Sequence, residues 1–210
     1  LKSVFTQIKA LTNMPAAGAG HTVLLRSDGT AVACGRNERG QCNIPILDGG
    51  VTYTDVAAGA NHTVLLKSDG SAVGSGLNDF GERNIPALDG AVTYTQVAAG
   101  TNHTVLLRSD GSAVACGNNW LAQCNIPPLD GAVTYTQVAA GGDTTVLLKS
   151  DGTALACGQN DGQCDIPPLD GAVTYTAVSA GLNHVVLLKS DGSAVACGLN
   201  HFGECDIPGL

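Results

Sequence analysis

Apolar and polar positions in this chain fall into short alternating runs that recur along its length. Thr93 to Val97 is a β-branched and aromatic run, and His103 to Leu107 is a second; a Ser-Asp-Gly-Ser turn then leads into a third, Ala113 to Cys116. Runs of this length bounded by turn residues read as strands. Asp-Gly between two of them is a hairpin signal, because glycine accepts the positive φ of the tight turn. The pattern predicts three strands per unit, with Asn-Ile-Pro as a short fourth edge strand, and no long amphipathic helix.

The Asp-Gly turns fall at Asp28, Asp69, Asp110, Asp151 and Asp191, so successive spacings are 41, 41, 41 and 40 residues. One such sheet cannot cover its own apolar face, so neighbouring units must pack on one another. The expected fold is all-β: a single β-propeller domain over 1–210, with five compact blades of three to four strands. The repeats are placed at approximately 16–56, 57–97, 98–138, 139–178 and 179–210. The chain opens with Val4-Phe5-Thr6-Gln7-Ile8, where Phe5 matches Tyr53, Tyr94, Tyr135 and Tyr175. Residues 1–8 are therefore expected to complete the last blade and close the ring.

Composition agrees with many tight turns: 28 Gly and 8 Pro, with 13% charged residues. The net charge of −8 and the lack of any dense Lys or Arg cluster exclude nucleic acid as the expected partner. No apolar run approaches the roughly 18 to 20 residues of a membrane-spanning helix. The first ten residues lack the basic start and apolar stretch of a signal peptide.

Cysteines occur as Cys34/Cys42, Cys116/Cys124, Cys157/Cys164 and Cys197/Cys205, flanking a Gly-x-Asn-x-x-Gly loop in four units. In the remaining unit both positions change together, to Ser75 and Arg83. Joint loss predicts four intra-repeat disulfides, and with them an oxidising compartment, secreted, extracellular or an organelle lumen; buried free thiols are the alternative. Two thiols per unit, widely spaced, do not make a zinc knuckle. His21, His62, His103 and His184 share one repeat position, held by Thr144 in the fourth unit, and are expected to hydrogen-bond between blades. The repeated Asp-Gly segments offer one carboxylate each, which suits turns rather than calcium. Asn61 and Asn102 are formal N-glycosylation acceptors. No metal and no cofactor are expected.

The signature Ala-Ala-Gly-x-x-His-Thr-Val-Leu-Leu-Lys-Ser-Asp-Gly-x-Ala-Val-Ala-Cys-Gly-x-Asn-x-x-Gly-Gln resembles the repeat of the regulator of chromosome condensation family over essentially the whole chain. In repeat style, with Gly-Gln followed closely by Pro, it is most similar to the propeller-type β-lactamase inhibitor proteins. The resemblance implies a propeller, usually of seven blades, and leaves function open, since the family uses one scaffold for many roles.

Against this uniform repeat, variation concentrates between the cysteine positions: Glu38-Arg39, Asp79-Phe80, Trp120-Leu121, Asp161 and His201-Phe202. These loops should emerge on one face, presenting the sole Trp and two of three Phe as interface anchors. No nucleophile elbow, phosphate loop or distinct carboxylate pair is present, so an enzyme is not expected. The expected function is a protein-interaction scaffold or accessory subunit. Alternatives are a lectin-like glycan binder, disfavoured because the loop aromatics do not repeat, and an enzyme inhibitor.

Overall fold

The computed structural model describes residues 15–208. It consists of five antiparallel sheets, each of three consecutive strands in chain order. The first holds β1 (Pro15–Ala17), β2 (His21–Leu25) and β3 (Ala31–Gly35); the second β4 (Tyr53–Ala58), β5 (His62–Lys67) and β6 (Ala72–Gly76). The third holds β7 (Tyr94–Ala99), β8 (His103–Arg108) and β9 (Ala113–Gly117). The fourth comprises β10 (Tyr135–Gly141), β11 (Thr144–Lys149) and β12 (Ala154–Gly158), and the fifth β13 (Tyr175–Ala180), β14 (His184–Lys189) and β15 (Ala194–Gly198). Among the described residues there is no helix long and apolar enough to cross a membrane.

Each sheet is pinned at its hairpin by the Ser-Asp-Gly turn. Asp69 Oδ1 accepts from the backbone N–H of Ser71 at 2.9 Å and its hydroxyl at 2.7 Å, while Gly70 takes a φ of 79°. The carboxylates are thus occupied as turn caps, and these bonds hold the Asp69 and Asp110 carboxyls below their usual range. Asn-Ile-Pro forms no fourth strand. It belongs to an irregular linker, fastened where Tyr94 Oη donates to the Pro86 carbonyl at 2.6 Å and Tyr135 Oη to that of Pro127 at 2.7 Å. Proline has no N–H to offer an edge ladder.

Consecutive sheets stack face to face. Their first strands touch one another, and each second strand touches the first strand of the next sheet, while the third strands lie outermost. Four apolar cores fill the four interfaces on one plan: Val105 and Leu107 of one sheet meet Tyr135, Val138 and Leu147 of the next. The same plan repeats at the other interfaces. Leu65, Leu106, Leu147 and Leu187 are fully buried, so truncating one to alanine would cost about 2–5 kcal/mol. Among the described residues no such core joins the fifth sheet to the first. Leu188 is accordingly 41% exposed where its counterpart Leu148 is 6%.

Two polar devices reinforce the stack. A register shift follows each tyrosine, and the N–H of the next valine bonds to a side chain at the same shift in the sheet before: Gln96 Oε1 accepts from Val138 N at 2.9 Å, and Gln137 Oε1 from Val178 N at 3.0 Å. Histidine supplies the second. His21, His62 and His103 bond through Nε2 to Thr63, Thr104 and Thr145 of the next sheet at 2.8, 3.1 and 3.0 Å. Each ring lies against a glycine; at Gly18 a Cβ would sit 2.5 Å from His21 Cε1, which explains why glycine precedes the histidine by three residues.

The expected ring closure through residues 4–8 lies outside the described residues. The fifth sheet contains Tyr175–Ala180 of its own unit as first strand, so blades begin at the tyrosine run rather than at the glycine that follows it.

Candidate interaction face

The loop after each third strand begins beside the turn between the first and second strands: Leu77 N donates to Asn61 O and Asn118 N to Asn102 O, both at 2.8 Å. All five variable loops therefore lie on one face. At its centre the Ala-Gly turns of the five sheets, from Ala17-Gly18 to Gly181-Leu182, line a shallow depression of about 280 Å³. The variable loops ring this bowl.

Within each loop a repeated asparagine forms a clamp. In the third blade Asn119 Oδ1 accepts from Cys124 N at 2.9 Å and Asn119 Nδ2 donates to Asn125 Oδ1 at 2.8 Å. The fully buried Gln123 accepts from Leu121 N at 3.0 Å and donates to Asp143 of the next blade at 3.0 Å. Asn118 Oδ1 accepts from Trp120 N at 2.8 Å. The backbone under Trp120 and Leu121 is thus fixed by three side chains while the side chains themselves reach into solvent. The equivalent asparagines are Asn37, Asn78, Asn160 and Asn200, and the equivalent glutamine position holds Gln41, Glu82, Gln163 and Glu204. These residues hold the face together, and their signal in the sequence was an asparagine kept in all five repeats with a Gln or Glu four residues, or in the fourth repeat three residues, after it.

The frame is therefore not made of cystines. All eight cysteines are free, which corrects the expectation of links between Cys34 and Cys42, Cys116 and Cys124, Cys157 and Cys164, and Cys197 and Cys205. Members of a pair turn to different acceptors. Cys116 Sγ points to the Glu82 carbonyl of the preceding blade at 3.5 Å, whereas Cys124 Sγ points to the Asn118 carbonyl of its own loop at 3.2 Å. Burial pushes Cys116 and Cys157 up to about 12, and Cys124 and Cys197 up to about 11. Thiols so shifted remain protonated at neutral pH, and the thiolate is the form that exchanges into disulfides. The expectation of an oxidising compartment rested on those bridges and loses its support. In the second blade both replacements fit without a bridge: Arg83 lays its stem over Gly74, where a Cβ would stand 2.8 Å from Arg83 Cγ, and the buried Ser75 donates to the Gln41 carbonyl of the preceding blade at 3.4 Å, as Cys116 does to Glu82.

All the variable-loop residues singled out in the sequence reach the surface: Glu38, Arg39, Asp79, Phe80, Trp120, Leu121, Asp161, His201 and Phe202. Trp120 is 81% and Phe202 94% exposed. Phe80 and Trp120, from adjacent blades, meet edge to face with ring centroids 5.2 Å apart, and Leu121 adjoins them in sequence. Phe202, on the fifth blade, is not part of that cluster. Ala122 takes a φ of 66° where the other loops place glycine, so the loop bearing Trp120 stores backbone strain. Asn61 and Asn102 are half-buried, and the threonines of their sequons, Thr63 and Thr104, are fully buried in the histidine belt.

The family model for the regulator of chromosome condensation (RCC1) repeat matches residues 16–41, 53–82, 94–119, 135–163 and 175–204. The chain belongs to the RCC1 repeat family. Four matches begin on the first residue of a first strand and one begins one residue inside β1, and each runs into the loop after the third strand, so an RCC1 repeat coincides with a blade. Among curated proteins none matches by sequence. Similar solved structures include Prp20p from Saccharomyces cerevisiae, 20% identical, TM-score 0.77, covering 92% of this chain and 58% of that one. Human WBSCR16 is 19% identical, TM-score 0.76, with 90% and 62% covered. The ectodomain of the receptor kinase CR4 from Physcomitrella patens is 17% identical, TM-score 0.68, with 88% and 51% covered. The chain spans less than two thirds of the length of each. At these identities the likeness shows the fold, an RCC1-type β-propeller.

Proposed function

We propose that this chain is a non-catalytic protein-interaction module whose partner docks on the face of variable loops. The observation that carries this reading is the Phe80–Trp120 pair: two aromatic rings from different blades, in contact, exposed, and mounted on loops whose backbone is clamped. Ordering a flexible loop costs binding energy, and a clamped loop has already met that cost. Five unlike loops on a regular frame suit one asymmetric protein surface better than five copies of a small ligand. Prp20p, a structural relative, is described by its binding to Gsp1p and histones and in complex with Kap60, which supports an interaction role for the scaffold.

The test is capture from the native source followed by titration of the captured protein. Trp120→Ala and Phe80→Ala should each weaken binding about thirtyfold, as buried aromatic anchors do, whereas Glu38→Ala at the rim should change it little. Undiminished binding by both aromatic variants, or hydrogen-exchange protection on the opposite face, would overturn the reading.

A further inference from the structure

Charge on the variable face is unevenly laid out. The first blade carries Arg36, Glu38 and Arg39 in its loop, with Arg36 and Glu38 paired at 2.6 Å, and the second carries Asp79 and Arg83 beside the buried Glu82. The third loop, from Gly117 to Pro127, has no charged residue and bears Trp120 and Leu121. Beyond it the loops of the fourth and fifth blades hold Asp161, Asp165, Glu204 and Asp206 with no Lys or Arg between Gly158 and Pro167 or between Gly198 and Pro208.

Three of those four carboxylates are unnecessary to the fold. The clamp needs one acceptor oxygen, which Asn43, Asn84 and Asn125 supply in the first three blades at 2.9, 3.0 and 2.8 Å. Asp165 and Asp206 stand at the same position in the fourth and fifth and accept the same bond at 3.1 and 2.8 Å. Likewise Glu204 accepts from Phe202 N at 2.8 Å, the role that Gln41, Gln123 and Gln163 fill as amides. An amide exchanged for an acid keeps the acceptor and adds only a negative charge. Asp165 and Asp206 are exposed and Glu204 half-buried, so that charge reaches solvent.

We infer that the partner is a cationic, extended polypeptide segment that seats an apolar side chain on Phe80, Trp120 and Leu121 and runs its Lys or Arg residues over the acidic loops of the fourth and fifth blades. This rests on the interaction reading above and adds the chemistry of the partner. The apolar centre supplies the anchor. The one-sided ledge supplies direction, because the loops on the other flank balance Arg36, Arg39 and Arg83 against Glu38, Asp79 and Glu82 and offer the same segment no net attraction. An exposed indole also offers its face to a guanidinium or ammonium group.

Trp120 is the only tryptophan, so its fluorescence reports occupancy directly in the full chain. The probes are three unstructured synthetic peptides of equal length with one central Leu: one rich in Lys and Arg, one with Ser in their place, and one with Glu. The cationic peptide should shift Trp120 emission saturably and bind about tenfold or more tighter than the Ser peptide. Its advantage should shrink as salt shortens the screening length from about 10 Å toward about 3 Å. The variant carrying Asp161→Asn, Asp165→Asn, Glu204→Gln and Asp206→Asn keeps every clamp acceptor; it should melt like the parent and lose that advantage. Equal binding of cationic and Ser peptides, retention of the preference by the amide variant, preference for the Glu peptide, or no emission change with any of the three would each overturn the inference. Should the Ser peptide bind as well as the cationic one and Trp120→Ala abolish both, the aromatic docking face stands and only the charge selection falls.

Discussion

His103 donates through Nε2 to Thr145 Oγ1 at 3.0 Å across the seam between the third and fourth sheets. The threonine sends its single proton to the Gln123 carbonyl at 2.7 Å, so its hydroxyl can only accept from the ring. That places a proton on Nε2, and burial, which lowers the ring to about 4, keeps His103 neutral at pH 7. Where the fourth sheet has Thr144 in place of the histidine, the fifth has Val185 in place of the threonine, so donor and acceptor disappear together.

The belt makes stability sensitive to acid. Burial lowers His62 and His103 from 6.5 to about 4 in the folded chain. Between those values the unfolded chain binds more protons. The contribution is therefore complete above about 6.5, declines as pH falls toward 4, and declines no further below it. Urea midpoints should drop across that window, and the double variant His62→Gln, His103→Gln should show a flatter profile there. Thr145→Val, which strands a buried N–H, should cost about 1–3 kcal/mol at pH 7. A profile unchanged by the double variant would refute the assignment.

The clamp, rather than cystine, should govern the loops. Unfolding in denaturant without reductant should expose eight reactive thiols per chain, and the melting temperature should be the same with and without reductant. Asn119→Ala should cost about 1–2 kcal/mol by leaving the Cys124 N–H and the Asn125 carbonyl oxygen without their partner, as urea titration would show. A reductant-dependent melting temperature would contradict the arrangement.

Ala122→Gly should stabilise the fold by about 1 kcal/mol, because glycine occupies the left-handed region without the Cβ clash. Differential scanning calorimetry reads this directly. A neutral or negative shift would mean that the alanine methyl makes packing contacts worth more than the strain.

The strands, their order and the Asp-Gly turns were legible in the sequence because a period of about 41 residues exposes every position five times, and short β-branched and apolar runs such as Tyr94–Ala99 and His103–Arg108, bounded by turn residues, read as strands. The positions of Trp120 and Phe80 on a common face were legible for the same reason. Their contact was not: it depends on the angle between adjacent blades, which no spacing encodes. The thiols were misread because paired loss of cysteine in the second blade looks the same whether the pair is bonded or merely packed, and only Arg83 lying over Gly74 separates the two. The clamp asparagines were overlooked because an asparagine beside glycine already has a sufficient explanation as a turn residue.

Thr144 and Val185 also bear on how this molecule comes apart. Each described sheet couples to its neighbours in chain order, so cooperativity is set seam by seam. Among the described residues, the seam between the fourth and fifth sheets has no histidine–threonine bond, whereas each of the three seams before it has one. Local opening should be easier at that seam, with amide exchange faster in Tyr175–Ala180 than in Tyr94–Ala99. The aromatic anchor thus rides on sheets tied to their neighbours by histidine bonds, while the acidic ledge spans the seam that lacks one and can alter its pitch to suit what lies across it.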